Sequence, residues 1–141
     1  MIVKGYRGCV KADDARALAE RGIYLFNYLC VGCREHAEYS FNKASKLFEI
    51  GRNRAKNFHI EMMLILSGQR QIADAINLCG TESCEGVVAI SKSEFELTLP
   101  RDDTLIDFKD KKLKHLNIDF TVKAHECEAF FENSAMGLVD R

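Results

Sequence analysis

The sequence predicts an α+β fold, a two-layer domain in which a small mixed or antiparallel sheet is packed with helices. Two observations lead there. β-prone stretches and stretches of helical period follow one another without a regular strand–helix–strand series. The run 62–66, Met-Met-Leu-Ile-Leu, is too apolar to face water on any side, so it belongs inside a core. A length of 141 residues, 47% hydrophobic and 29% charged with one proline, fits a single domain, 1–141, folded nearly end to end.

Taken in order, residues 2–10 are β-prone and bounded by glycine, which predicts a strand with a bulge at Gly5 or Gly8. Residues 11–21 are rich in Ala, Leu, Glu and Arg, with Asp13 or Asp14 to cap a helix and Gly22 to end it. Residues 23–31 carry aromatic and branched side chains with little charge and predict a strand covered on both faces. After Gly32 the period changes. Ala37, Phe41, Ala44, Leu47 and Phe48 recur at spacings of three and four, which predicts an amphipathic helix closed by Gly51.

Two helices follow, the first from about Asn57 to Leu66. They are split at Ser67-Gly68, where glycine suits a helix end and the serine hydroxyl can cap the next start. The second helix has Ile72, Ala75, Ile76 and Cys79 on one face and stops at Gly80. Residues 86–90 predict a buried strand, and the strict alternation of 94–99 predicts a half-exposed one stopped by Pro100. Residues 104–108 form an apolar run of open state, 109–116 predict a charged helix, and 122–138 predict a closing helix with Ala124, Cys127, Phe130, Phe131, Ala135 and Leu138 at helical spacings.

The balance of 20 basic and 21 acidic residues gives a net charge of −1 and no global field toward nucleic acid or an anionic membrane. The longest uncharged apolar run falls far short of a membrane span, and the first residues lack the pattern of a signal peptide, so a cytoplasmic protein without membrane contact is expected. Six cysteines leave two readings open. Cys30 and Cys33 have the spacing of a thiol-redox pair or half a zinc site, with Cys79 and Cys84, or His125 and Cys127, as the other half. Alternatively they are reduced, buried thiols that pack as small hydrophobes.

Phosphate-loop, dinucleotide, serine-hydrolase and zinc-protease motifs are absent from the sequence, and the four histidines are scattered, so no catalytic residues, cofactor or metal ligands are assigned. The basic lead-in is the chief local signal. Arg52, Arg54 and Lys56 lie close together without an acidic neighbour, and Arg70 returns to them if the two central helices pack together. Such cations grip phosphates, while Asn57, Gln69 and Gln71 supply amides for base edges or sugars. Phe58 and His59 are candidate stacking groups for unpaired bases. Glu61 reads as a first-turn acid favoured by the helix dipole. Met62 and Met63, with Leu66, Ile72 and Ile76, are core filling or a surface for a protein partner.

The run Glu61-Met62-Met63-Leu64-Ile65-Leu66-Ser67-Gly68-Gln69-Arg70-Gln71-Ile72-Ala73-Asp74-Ala75-Ile76, followed by Gly80, resembles the signature of the small kinase-binding subunit of the KEOPS/EKC complex, the TPRKB family. Gly5 and Gly8, the helix with His36, Asn42, Lys43 and Ala44, and the strand 87–90 fall in the order that family expects; residues 92–141 are not matched position by position. The resemblance implies a non-enzymatic regulatory subunit of a complex that makes threonylcarbamoyladenosine in tRNA. It would bind the N-lobe of the PRPK-type atypical kinase subunit, support that subunit's activity, and hold the tRNA 3' end. The cysteines depart from the family pattern.

Overall fold

The computed structural model describes residues 1–119 and 127–139. Within these residues three strands, β1 (Ile2–Arg7), β2 (Tyr24–Asn27) and β3 (Gly86–Ser91), form an antiparallel sheet in the order β1-β3-β2. The registers run from Ile2↔Ser91 to Arg7↔Gly86 and from Tyr24↔Ile90 to Asn27↔Val87. β3 is central and every residue of it is buried, which is why it reads as a continuous apolar run.

Among the described residues, six helices surround the sheet: α1 (Ala12–Glu20), α2 (Arg34–Glu49), α3 (Phe58–Ser67), α4 (Ile72–Cys79), α5 (Asp110–His115) and α6 (Glu128–Gly137). Val3, Phe26, Val88 and Ile90 point to the main core with Phe41, Met62, Ile65, Leu66 and Phe130, so the α+β two-layer expectation holds. The other side of the sheet, with Tyr6, Leu25, Val87 and Ala89, is covered by Leu18 of α1 and by Phe95, Leu97 and Leu99.

That second cover explains a difference from the sequence reading. The alternating segment 94–99 is not a strand, because its apolar side chains lie across the sheet face instead of pairing along an edge. It is fastened there by Lys4, whose ammonium is bonded to Glu94 and to Glu96 and stands over the Phe95 ring. Strand β2 is shorter than the expected 23–31. Asn27 Oδ1 accepts from Leu29 N at 3.0 Å and turns the chain into a 3₁₀ turn, Tyr28–Cys30. The apolar run 104–108 contains a second 3₁₀ turn, Asp103–Ile106. The N-cap of α1 is Lys11 without a side-chain bond, and Asp13 and Asp14 sit inside its first turn. The closing helix starts at Glu128; the expected helical residues 122–126 lie outside the described part of the chain.

α3 is the central helix, and α2, α4 and α6 all pack on it. Asn57 Oδ1 accepts from Ile60 N to open it, and Gly68, in the left-handed region at φ 72°, closes it. From His59 to Ser67 every residue except Ile60 is buried. Burying the five side chains of 62–66 contributes on the order of 10 kcal/mol before chain entropy is counted, the largest single block of apolar burial expected of any helix here.

Candidate functional site

Glu61 organises the basic segment. Its carboxylate is fully buried, and Oε1 accepts from the backbone N–H groups of Arg54 at 3.0 Å and Ala55 at 2.9 Å. The acid therefore does more than face the helix dipole: it pins the incoming loop. Arg54 Nη1 then donates to the Arg70 carbonyl at 3.0 Å, so the structure brings Arg54 and Arg70 together as the sequence suggested. Arg52 and Lys56 are exposed on the same loop.

The Ser67–Gln71 elbow is a seam for α6. Ser67 Oγ donates to Met63 O at 2.7 Å and accepts from Gln69 N, so it serves α3 and does not cap α4, whose N-cap Gln71 makes no side-chain bond. Asn133 Nδ2 donates to Ser67 O at 3.0 Å and Arg70 Nη2 to Met136 O at 3.2 Å. Gln71 is exposed. Gln69 is half-buried in a cleft of about 300 Å³ shared with Asn77, His115 and Asn117. The amides expected to work beside the arginines are thus distributed over different surfaces.

A larger cavity, about 550 Å³, opens between α1, the end of β2, the start of α3 and the end of α4. Its polar lining is dominated by neutral groups, Asn27, Asn57, Asn77, Thr81 and Ser83, with Arg16 and Glu82 as charged members. Asn57 belongs both to this lining and to the end of the basic loop. Such a lining presents hydrogen-bond donors and acceptors without a strong field, which suits an uncharged polar group more than an ion. Sequence reasoning missed Asn27, Asn77 and Arg16, because the cavity is assembled from separate elements and no spacing marks it.

Phe58 and His59 are not open stacking groups. His59 is buried with its ring against Tyr24 and Phe26, and its Nε2–H donates to Leu25 O at 2.7 Å; burial lowers its pKa. Phe58 packs among Tyr24, Phe41 and Phe48.

The apolar partner candidates divide. Met62 and Leu66 are fully buried and Met63 is reached only along the cavity wall, which corrects their placement as partner contacts. The reason is that α3 is enclosed on several sides and its apolar run has no outward face. Ile72 and Ile76 are 39% and 41% exposed, while Ala75 and Cys79 form the buried face of α4. Met136 is 68% exposed, next to the Arg70 contact, and was not foreseen.

The cysteine readings also change. Cys33, the N-cap of α2, is joined in a disulfide to Cys127 at the start of α6, with 6.2 Å between Cα atoms, so these two are not reduced thiols. Cys30 is fully buried and interacts with Cys79; its thiol pKa is pushed up by burial and then by that neighbour. Cys30 and Cys33 are therefore not a redox pair with each other. Among the described residues, ligand atoms of Cys33, Glu35 and Cys127 cluster within 4.8 Å, but the two sulfurs are bonded together and offer no thiolate to a metal. Nearby, His36 is sealed in: Nδ1 accepts from Gly32 N at 3.0 Å and Nε2 donates to Ser134 Oγ at 2.9 Å. Burial, reinforced by the charge of Lys112, takes its pKa down to about 3, so it is a neutral structural group.

Comparison with known proteins adds a family to this geometry. The KEOPS complex subunit Cgi121 of Pyrococcus abyssi (strain GE5 / Orsay) is 36% identical over 82 residues, which is 55% of this chain and 48% of that protein. The match thus spans about half the length of the curated relative. The family described as kinase binding protein CGI-121 matches residues 16–132, a stretch that contains α2, α3, α4 and the whole cavity lining other than Ala12 and Ala15. The chain belongs to the CGI-121 kinase-binding protein family.

Proposed function

We propose that this chain is a non-catalytic regulatory subunit of the KEOPS/EKC complex that binds the N-lobe of a PRPK-type atypical kinase subunit, supports its activity, and holds the tRNA 3' end during threonylcarbamoyladenosine modification. The observation that carries the reading is the family match over residues 16–132. The exposed isoleucines of α4, Ile72 and Ile76, supply an apolar strip for a protein partner. The exposed cations Arg52 and Lys56, leading through Asn57 into the neutral polar cavity, supply a phosphate grip beside a place for an unpaired base. The proposed setting is the cytoplasm, and no described helix is long and apolar enough to cross a membrane.

Two measurements test it. Co-expression with a PRPK-type kinase is expected to give a co-purifying complex that is lost in Ile72→Glu/Ile76→Glu; failure of the unaltered chain to co-purify overturns the kinase assignment. For RNA, Arg52→Glu/Lys56→Glu is expected to weaken tRNA binding and to reduce the salt slope by about 0.7 for each phosphate no longer gripped. Arg54 is left in place because its side chain holds the Arg70 carbonyl. Unchanged tRNA affinity in that variant overturns the RNA assignment.

A further inference from the structure

The β1–β3 register ends at Arg7↔Gly86, and continuing it by two residues on each strand sets Cys9 opposite Cys84. The two segments remain joined beyond the strands. Gly8 N donates to Glu85 O at 2.8 Å and Val10 N donates to Thr81 O at 2.9 Å, one bond on each side of Cys9, and Thr81 Oγ1 donates back to Val10 O at 2.8 Å. Cys84 Sγ lies 3.9 Å from Gly8 O, the carbonyl of the peptide that leads into Cys9. The regular ladder stops here, because Gly8 takes a φ of 113° and Val10 bonds to Thr81 instead of Ser83, so the chain bends around Cys84 at this point. Cys9 lies near enough to Cys84 for the two thiols to interact.

We propose that Cys9 and Cys84 form a second, solvent-reversible disulfide that fastens the β1–α1 turn to the α4–β3 loop. Cys9 is exposed and Cys84 is half-buried. This distinguishes them from Cys30 and Cys79, which face each other fully buried where no soluble oxidant reaches them. The oxidant is a low-molecular-weight disulfide. The Cys9 thiolate attacks one of its sulfurs and releases one thiolate; Cys84, deprotonated, attacks the Cys9 sulfur of the mixed disulfide and releases the second. Two protein thiols lose two protons and two electrons, and the small disulfide becomes two thiols. The bond has a structural consequence, because Thr81, Glu82 and Ser83 line the large cavity together with Ala12, whose N–H donates to Glu82 Oε1 at 2.9 Å. Oxidation would lock that rim.

The test is incubation of the full chain with oxidised glutathione, quenching with iodoacetamide, and peptide mapping without reductant. The expected result is a linked Cys9–Cys84 peptide that dithiothreitol removes. Cys84→Ser is expected to accumulate glutathione on Cys9, at several-fold higher occupancy than the unaltered chain, because the resolving thiol is gone. Cys84→Ala gives the same readout if the serine variant folds poorly. A stable glutathione adduct on Cys9 of the unaltered chain without a linked peptide overturns the proposal, as does a Cys9–Cys84 link found only between two chains.

Discussion

Gly137 of α6 rests on the backbone of Gly68: a Cβ built at Gly137 would stand 2.6 Å from the Gly68 carbonyl oxygen, and one at Gly68 would stand 2.5 Å from the Asn133 carbonyl. Neither obstacle is a flexible side chain, so the helix would have to move away from the elbow. Gly68 also needs its positive φ. Gly137→Ala is expected to lower stability by about 1–3 kcal/mol through overpacking, and Gly68→Ala by at least as much because strain is added. Urea unfolding of the two variants measures this, and equal stability to the unaltered chain would show that the seam is loose.

The Glu61 carboxylate ties α3 to the basic loop, so removing it acts on both. Glu61→Ala leaves the N–H groups of Arg54 and of buried Ala55 without this acceptor. Bonds to a charged acceptor are worth about 1.5–3 kcal/mol, and the loss is expected to fall in that range or above. Glu61→Gln keeps a carbonyl oxygen and is expected to recover part of it. Hydrogen exchange at residues 52–56 should quicken in Glu61→Ala; unchanged protection there would separate the loop from Glu61.

How far these features could be read in the sequence depends on how local their cause is. Gly22, Gly51 and Gly68 mark helix ends because a single residue's backbone freedom decides the matter, and all three have positive φ. The period of 34–49 and the apolar run of β3 state which faces are buried, and they placed α2 and β3. The segment 94–99 misled because alternation reports only that one side is covered, not whether a neighbouring strand or a sheet face covers it. Met62 and Leu66 were legible as apolar, yet whether core or partner buries them depends on how many helices surround α3. Basic residues 52–56 were visible as a cluster, whereas the cavity, drawn from Asn27, Asn57 and Asn77 on separate elements, had no pattern to betray it.

The Cys33–Cys127 bond joins residues 94 positions apart and ties the start of α2 to the start of α6. Gly32 adjoins this staple, where any side chain would overlap the Phe130 ring, so α6 is held by close packing as well as by the bond. Breaking a disulfide that closes so long a loop is expected to cost about 2–4 kcal/mol, with the chain-entropy figure for about 100 residues near 4.7. Cys127→Ser and reduction by dithiothreitol should lower the melting temperature by similar amounts. A chain whose melting temperature is indifferent to both would not carry this bond in solution.

Two buried bases should make the protein acid-sensitive in separate windows. His36, with its pKa near 3 in the folded chain against an ordinary 6.5, stays neutral while the unfolded chain takes up a proton as pH falls from about 6.5 to about 3. Protons bind the unfolded state preferentially there, so stability falls with falling pH. Lys112, whose Nζ donates to Val31 O and Leu105 O, is brought by burial to about 7 from 10.5, and by the same reasoning stability falls as pH drops from about 10.5 to about 7. Each group limits the slope to about 1.4 kcal/mol per pH unit within its window. Urea unfolding as a function of pH checks both: His36→Gln is expected to flatten the acidic limb while leaving the alkaline one, and Lys112→Met to do the reverse, even though each variant starts less stable. Retention of the full acidic slope in His36→Gln would assign that limb to the carboxylates instead.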